Sequence, residues 1–402
     1  MSNQNRYEWG DGVYTLLSWF KKERVRNARV LVAGAGALGN EVVKNLALFG
    51  VGHIFVVDFD RIEMTNLTRS VLFREEDAVN HAYKSEVVAR RAMEINPQIR
   101  VDPIVGNLFS EVGFGLYRSV DVVIGCLDSR IARYQLNRLA MRAGKTWIDG
   151  SIENLTGVVR VFTPGINCYE CGLSKEEFNQ IMLRTGCADV VRMQGSAGRV
   201  ATTPISASIV GAVQVQEAMK VIHQESDTDS PFKTLGGKMW RYEGMTAGTS
   251  VFQHAMWKDG CPAHERWEPV RSCPDLSAGD TVGNVLEKLK DFLQVKAVEI
   301  NMVNNKFIDR IISDQPEKVF DLKIPESRLD DYIQGNDELR KLSYRTLFHK
   351  DFIENIDAYF PYPDLRLVDV GIPYFDVLHV STDKGLFYVE LSADAARYGL
   401  DA

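Results

Sequence analysis

Residues 29-RVLVAGAGALGNEVVKNLALFG-50 decide the fold. The opening RVLVA is a short apolar run of the kind that forms a strand buried on both faces. The stretch after it reads as a helix, and between them Gly34, Gly36 and Gly39 make a G-x-G-x-x-G turn. Glycines there permit a tight turn and let backbone N–H groups approach phosphate oxygens at the helix N-terminus. The run 53-HIFVVDFD-60 reads as a second strand. Asp58 closes it, in the usual place for an acid that accepts a hydrogen bond from a ribose hydroxyl. Alone, this pattern fits a nicotinamide-dinucleotide oxidoreductase equally well, or a strand–helix turn that binds nothing.

Outward from this unit, β and α readings alternate. Apolar spacing at Val87, Val88, Ala92 and Ile95 predicts a helix over 84–98 that stops at Asn96-Pro97. Strands are predicted over 99–105, 120–127, 145–150 and 156–165, and helices over 130–144 and 204–223. The alternation, with continuous apolar strands, predicts a doubly wound, mostly parallel α/β sheet. The segment 260-GCPAHERWEPVRSCPDLSAGD-280 is rich in Pro, Gly and charge, and a boundary is placed there, between 1–274 and a smaller α+β unit over 275–402. In that unit 281–293 is an amphipathic helix, with Val282, Val285, Leu286, Leu289 and Leu293 on one face. Hairpins are predicted over 297–312, around Asn304-Asn305, and over 374–391, around Asp383-Lys384-Gly385.

Charge is unevenly spread. The chain carries a net −7, but residues 275–402 hold 24 acids against 15 bases, leaving the first 274 slightly basic. Nucleic acid is therefore a poor partner for the C-terminal unit; a basic protein surface is a better one, and a generic solubilising surface fits the charge equally well. The start is polar, and no apolar run is long enough to span a bilayer. Six cysteines in 402 residues are too few for a disulfide scaffold, so a reducing cytoplasm is expected.

The run 57-VDFDRIEMTNLTR-69 adds Asp60, Asn66 and Arg69 just past the second strand, Lys84 follows, and Asp128 ends the fourth strand within 127-LDSRIAR-133. Each alone reads as a surface charge. Hydride transfer needs no such cluster, whereas adenylyl transfer needs cations against the growing charge on phosphate and an acid to hold Mg²⁺. Their joint placement at strand C-terminal ends favours the second.

In these motifs, GAGALG, VDFDRIEMTNLTR, Lys84 and LDSRIAR, the chain resembles the adenylation domain of ubiquitin-activating enzymes and of the thiamine- and molybdopterin-pathway adenylyltransferases. The resemblance covers about residues 6–265 and implies a Rossmann-like domain that binds ATP. By family role Asp58 would bind ribose, Asn66 and Arg69 the triphosphate, Lys84 the phosphates and Asp128 Mg²⁺. Ser70 departs from the family, which usually has glutamine there. The resemblance also implies a homodimer, with Arg6 reaching the other protomer's nucleotide.

Cysteine spacing points to a second centre. The pairs 168-CYEC-171 and 261-CPAH-264 offer Cys168, Cys171, Cys261 and His264, a soft tetrahedral set suited to Zn²⁺ with no open position. Cys273 is the rival fourth ligand, and two free thiol pairs are the plain alternative. Cys126 lies in an apolar strand and reads as core. Cys187 sits in 187-CADVVRMQGSAGR-199, within a short crossover (about 172–203), with Arg184, Arg192 and Arg199 near enough in sequence to lower its pKa and Asp189 opposing. The resemblance implies that it captures the activated carboxyl group as a thioester; otherwise it is a plain loop thiol.

The two ends of 275–402 resemble the ubiquitin-fold (β-grasp) domain that docks a conjugating enzyme; a dimerisation or decorative domain is the plain alternative. The expectation is an activating enzyme for a ubiquitin-like protein ending in glycine: adenylation, a thioester on Cys187, then transfer to a conjugating enzyme. The alternatives are a sulfur-carrier-protein adenylyltransferase without a conjugating enzyme, the oxidoreductase, and a non-catalytic binding module.

Overall fold

A computed structural model describes residues 9, 12–186, 202–224, 232–303, 305–314, 317–343 and 348–400. Arg6, Cys187, Arg192 and Arg199 lie outside the described residues. Contacts divide the chain into two compact units, Met1–Leu108 with Tyr117–Arg266, and Phe109–Leu116 with Trp267–Ala402.

The first unit is built on an eight-stranded sheet. Its strands are β1 (Arg29–Ala33), β2 (His53–Val57), β3 (Arg100–Ile104), β4 (Val122–Gly125), β5 (Trp147–Glu153), β6 (Thr156–Phe162), β7 (Lys238–Glu243) and β8 (Gly248–Gln253), in the order β3-β2-β1-β4-β5-β6-β7-β8. The first five are parallel and the last three run antiparallel. Crossover connections come from α1 (Ala37–Phe49), α2 (Lys84–Ile95) and α3 (Arg130–Arg142), followed by α4 (Lys175–Gly186) and α5 (Pro204–His223). Val30, Val32, Ile54, Val56, Val122, Ile124 and Ile148 of the strands share one core with Val42, Val43 and Leu46 of α1 and Val210, Val215 and Ala218 of α5. Each fully buried valine or leucine there contributes about 1.5–3 kcal/mol. This mostly parallel α/β sheet is the expected one. The helix 204–223 starts where Thr203 caps it, its hydroxyl accepting from Ser206 N, with Pro204 as its first residue.

The second unit carries a five-stranded sheet, β14-β10-β15-β16-β9, and a three-stranded one, β12-β11-β13. Its strands are β9 (Val270–Cys273), β10 (Val298–Asn301), β11 (Phe307–Asp314), β12 (Glu317–Pro325), β13 (Phe348–Ile353), β14 (Asn355–Ile356), β15 (Val377–Thr382) and β16 (Gly385–Leu391). Helix α6 (Val282–Leu293) buries the five apolar residues expected of it against Ile300, Val380 and Val389. The hairpin over 374–391 is present, with Thr382 opposite Gly385 and Gly385 at φ 114°.

The hairpin expected over 297–312 is not. β10 pairs with β14 and β15, whereas β11 pairs with β12 and β13 in the other sheet. Alternation along a strand fixes which face is buried, not which strand lies alongside. β9 pairs in parallel with β16, so the second unit takes a strand from chain that precedes residue 275.

Candidate nucleotide site and metal centre

β1, β2 and β4 are adjacent and parallel, and the strand order reverses between β1 and β4. Ligands of doubly wound sheets bind at the strand C-terminal ends at such a reversal. Gly34 follows β1, Asp58 follows β2, and Asp128 follows β4 by three residues.

The three glycines differ in what constrains them. Gly34 has φ 99°, and a Cβ on it would sit 2.5 Å from the Cys126 carbonyl oxygen. A Cβ on Gly39 would sit 2.1 Å from the Gly34 carbonyl oxygen. A Cβ on Gly36 would meet nothing within 4 Å. Protein packing thus demands glycine at the first and third positions. At the second, the N-cap of α1, it leaves open space in front of amides that no capping side chain satisfies. A phosphate group fits that space and those donors.

Asp58 accepts from Ala35 N at 2.7 Å and from Asp60 N at 2.8 Å. Burial pushes its carboxyl above the ordinary value, while those amides and the Lys84 charge pull it down. Each carboxylate oxygen keeps a lone pair for a hydroxyl. Lys84, the first residue of α2, donates to Asp60 Oδ2 at 2.6 Å, and Ser85 Oγ donates to the Asp58 carbonyl at 3.0 Å. Asn66 ends a 3-10 turn and accepts from Glu63 N at 3.0 Å. Arg69 donates to the Thr65 carbonyl at 2.9 Å, and the rest of its guanidinium has no protein partner among the described residues. Ser70 is buried. Asp128 is exposed and accepts no hydrogen bond among the described residues. An exposed carboxylate with no hydrogen-bond donor of its own among the described residues, at this sheet end, suits a hard cation such as Mg²⁺.

Several residues here were invisible to sequence reasoning. Buried Asn40 donates to the Ala35 and Gly36 carbonyls at 2.9 and 3.0 Å and accepts from Leu72 N at 2.9 Å. It thereby ties the glycine turn to the segment carrying Asn66 and Arg69. Asp149 of β5 is fully buried and accepts from Arg133 Nε at 2.8 Å and Arg160 Nε at 2.9 Å. Gln214 of α5 donates to the Gly125 and Ile148 carbonyls at 2.9 and 3.2 Å beneath the sheet ends. A polar residue set within a largely apolar stretch is the signal they leave.

The second centre lies in the same unit. The ligand atoms of Cys168, Cys171, Cys261 and His264 all lie within 4.8 Å of one another. The Cys171 Sγ to His264 Nε2 distance is 3.4 Å. Asn137 Nδ2 donates to Cys168 Sγ at 3.2 Å, and Lys258 N donates to Cys171 Sγ at 3.4 Å. Asn137 is held in turn by Trp147 Nε1 and Tyr169 N, and Trp257 stacks on the His264 ring at 3.3 Å. Burial pushes the Cys168 and Cys261 thiols up. A cation would reverse that, and donors already aimed at sulfur suit thiolates. Three sulfurs and one nitrogen with oriented outer partners fit tetrahedral Zn²⁺. Cys273, the rival, is instead packed in the core of the second unit.

Comparison with known proteins bears on the first unit. A sulfur carrier protein adenylyltransferase of Thermus thermophilus is 33% identical over 232 residues, 56% of this chain and 78% of that protein. The SAMP-activating enzyme E1 of Haloferax volcanii is 28% identical over 222 residues, 55% of this chain and 75% of that one. The NEDD8-activating enzyme E1 catalytic subunit of Arabidopsis thaliana is 37% identical over 158 residues, 36% of this chain but only 34% of that subunit. The ThiF family profile matches residues 15–263, a span that includes Cys168, Cys171 and Cys261. With the glycine turn, Asp58, Lys84 and Asp128 assembled at the sheet end, this chain belongs to the ThiF family.

Proposed function

We propose that this protein uses ATP to adenylate the C-terminal carboxylate of a small ubiquitin-like or sulfur-carrier protein. The observation that carries the reading is the convergence of the open Gly36 turn, Asp58, Lys84 and exposed Asp128 at one sheet reversal. A carboxylate oxygen attacks the α-phosphorus, the bond to the bridging oxygen breaks, and pyrophosphate leaves with that electron pair. Glycine-turn amides, Arg69 and Lys84 stabilise the charge on the phosphates, and Asp58 holds the ribose. Mg²⁺ held by Asp128 would supply further charge neutralisation. Zn²⁺ held by Cys168, Cys171, Cys261 and His264 would be structural, because four protein ligands leave no place for substrate. A homodimer in which Arg6 reaches the other protomer's nucleotide belongs to the same proposal.

For the fate of the acyl adenylate, the Thermus relative supports the sulfur-carrier reading over the conjugation reading. A second reading is kept by one observation: beyond the family match lies a further unit with its own core of Leu276, Leu289, Ile300, Val380 and Val389. That unit would dock a conjugating enzyme, and Cys187 would hold a thioester between adenylation and transfer.

The test is ATP–pyrophosphate exchange with candidate β-grasp proteins ending in glycine. Exchange that depends on the carrier and disappears in Asp128→Ala supports adenylation; affinity for NAD(H) without affinity for ATP would overturn it. A thiol-sensitive adduct lost in Cys187→Ala, with exchange intact, would favour conjugation. Its absence in the wild-type protein would leave the sulfur-carrier reading.

A further inference from the structure

Arg133 is a cation almost wholly buried, with its side chain 9% exposed, and its partner Asp149 is fully buried. Withdrawing such charges from water is costly, and an apolar trio of equal volume would serve stability as well or better. What only a guanidinium supplies here is its fork of donors. Nε donates to Asp149 Oδ1 at 2.8 Å, while Nη2 donates to the Leu127 carbonyl at 2.5 Å and the Gly150 carbonyl at 3.3 Å. Leu127 immediately precedes Asp128. On the other side of Asp128, Ser129 accepts from Ala132 N at 3.0 Å and caps α3. Farther back, Cys126 N donates to the Ala33 carbonyl at 2.8 Å. The turn bearing Asp128 is thus gripped on both sides, while its carboxylate is left exposed. Arg160, on β6, shares Asp149 through Oδ2, and none of its hydrogen bonds goes to Leu127.

We infer that Arg133, anchored by Asp149, is the positioning residue for Asp128: it fixes the Leu127 carbonyl so that the Asp128 carboxylate is pre-aimed at the cation accompanying the nucleotide. This rests on the adenylation reading above. The hydrogen bonds of Arg133 reach the Asp128 turn through the backbone of Leu127, and its charge also acts on the Asp128 carboxylate. Lysine at 133 would keep the positive charge beside Asp149, but one ammonium cannot hold Asp149 and two carbonyls in the same fixed geometry.

The test uses the full chain and a non-hydrolysable ATP analogue, with affinity measured by calorimetry in EDTA and in saturating Mg²⁺. In the wild-type protein Mg²⁺ tightens binding, and Asp128→Ala loses that gain. Arg133→Lys is expected to lose about tenfold of the gain, the scale of one misdirected charge-assisted contact, with affinity in EDTA unchanged. Arg160→Lys, which alters the same carboxylate from the other side, keeps it. The double variant Arg133→Lys with Asp128→Ala behaves as Asp128→Ala alone, because both act through one group. If Arg133→Lys does not fold, Asp149→Asn, which keeps an acceptor for Nε, is expected to lose part of the gain. An unchanged gain in Arg133→Lys, an equal loss in EDTA, or an equal loss in Arg160→Lys would overturn the positioning role while leaving adenylation intact. An analogue that does not bind would overturn the nucleotide reading and this inference with it, and a gain that survives Asp128→Ala would overturn the Asp128 assignment and this inference while leaving nucleotide binding intact.

Discussion

The Lys84 ammonium donates a hydrogen bond to Asp60 Oδ2 across 2.6 Å, joining the start of α2 to the loop that leaves β2. The lysine side chain is 13% exposed and the aspartate 53%. With the carboxylate this open to water, the pair is worth about 0–1 kcal/mol to the fold. It holds a cation at the sheet end beside Asp58.

Removing that cation separates catalysis from stability. Lys84→Met is expected to lower ATP–pyrophosphate exchange by about 10²-fold or more, on the scale of losing one preorganised charge stabiliser. Its melting temperature should stay near that of the wild-type protein. Asp60→Asn, which only loosens the lysine, should cost less than Lys84→Met. Exchange rates and calorimetric scans on the three proteins check both halves.

The glycine turn offers a sharper separation. Gly36→Ala places a Cβ in open space and should leave thermal stability unchanged while abolishing nucleotide binding. Gly39→Ala drives a Cβ against the Gly34 carbonyl oxygen, with no flexible atom to yield, and should destabilise the protein by about 1–3 kcal/mol. A Gly36→Ala protein that binds ATP normally would remove phosphate from this turn.

The metal centre is tested by content rather than activity. Purified protein should carry about one Zn²⁺ per chain, and His264→Ala or Cys168→Ser should lower that content and the melting temperature together. Cys273→Ser should leave zinc content unchanged, because that thiol is buried in another core.

His223 sets a pH dependence on the first unit. Its ring is buried; Nδ1 donates to the Met219 carbonyl at 2.7 Å and Nε2 accepts from Lys21 N at 3.0 Å. Trp19, Phe20 and Phe232 pack around it, and the facing charges, Arg24 and Lys21, are both positive. Burial, then those charges, lowers its pKa, although the Met219 bond opposes this. The unfolded chain therefore takes the proton more readily. Stability from the neutral ring is complete above about pH 6.5 and declines as pH falls below it, by at most about 1.4 kcal/mol per pH unit for one proton. Denaturant melts between pH 7.5 and 5.5 should show a steeper decline in wild type than in His223→Phe.

How far the sequence could be read follows from the range of the forces involved. The strand–turn–helix at 29–50, Asp58 and the ligand pairs around Cys168 and Cys261 are encoded in neighbouring residues, so spacing alone exposes them. The His264 assignment over Cys273 rested on the same two-residue spacing. Asn40 and Gln214 were missed because partners of theirs are remote in sequence: Asn40 meets Leu72, and Gln214 meets Gly125 and Ile148. Asp149 was missed because its partners, Arg133 and Arg160, lie on a different helix and strand and meet it only once the sheet has formed. Strand partnership failed in the same way. The alternation over 297–312 was genuine, but β10 found β15 some 80 residues downstream rather than β11.

The second unit is threaded from two separate stretches, and no single cut releases it intact. Phe114 N donates to Asp376 Oδ1 at 2.8 Å, Gly115 N donates to the Phe375 carbonyl at 2.9 Å, and the Phe114 ring meets Trp267. A fragment begun at Asp275 would forfeit those anchors and also β9, stripping the register partners of Tyr388 through Leu391 and turning β16 into a bare sticky rim. Such a fragment would clump or capture strands indiscriminately, so bait for partner hunting should be the whole chain carrying charge reversals on 275–402.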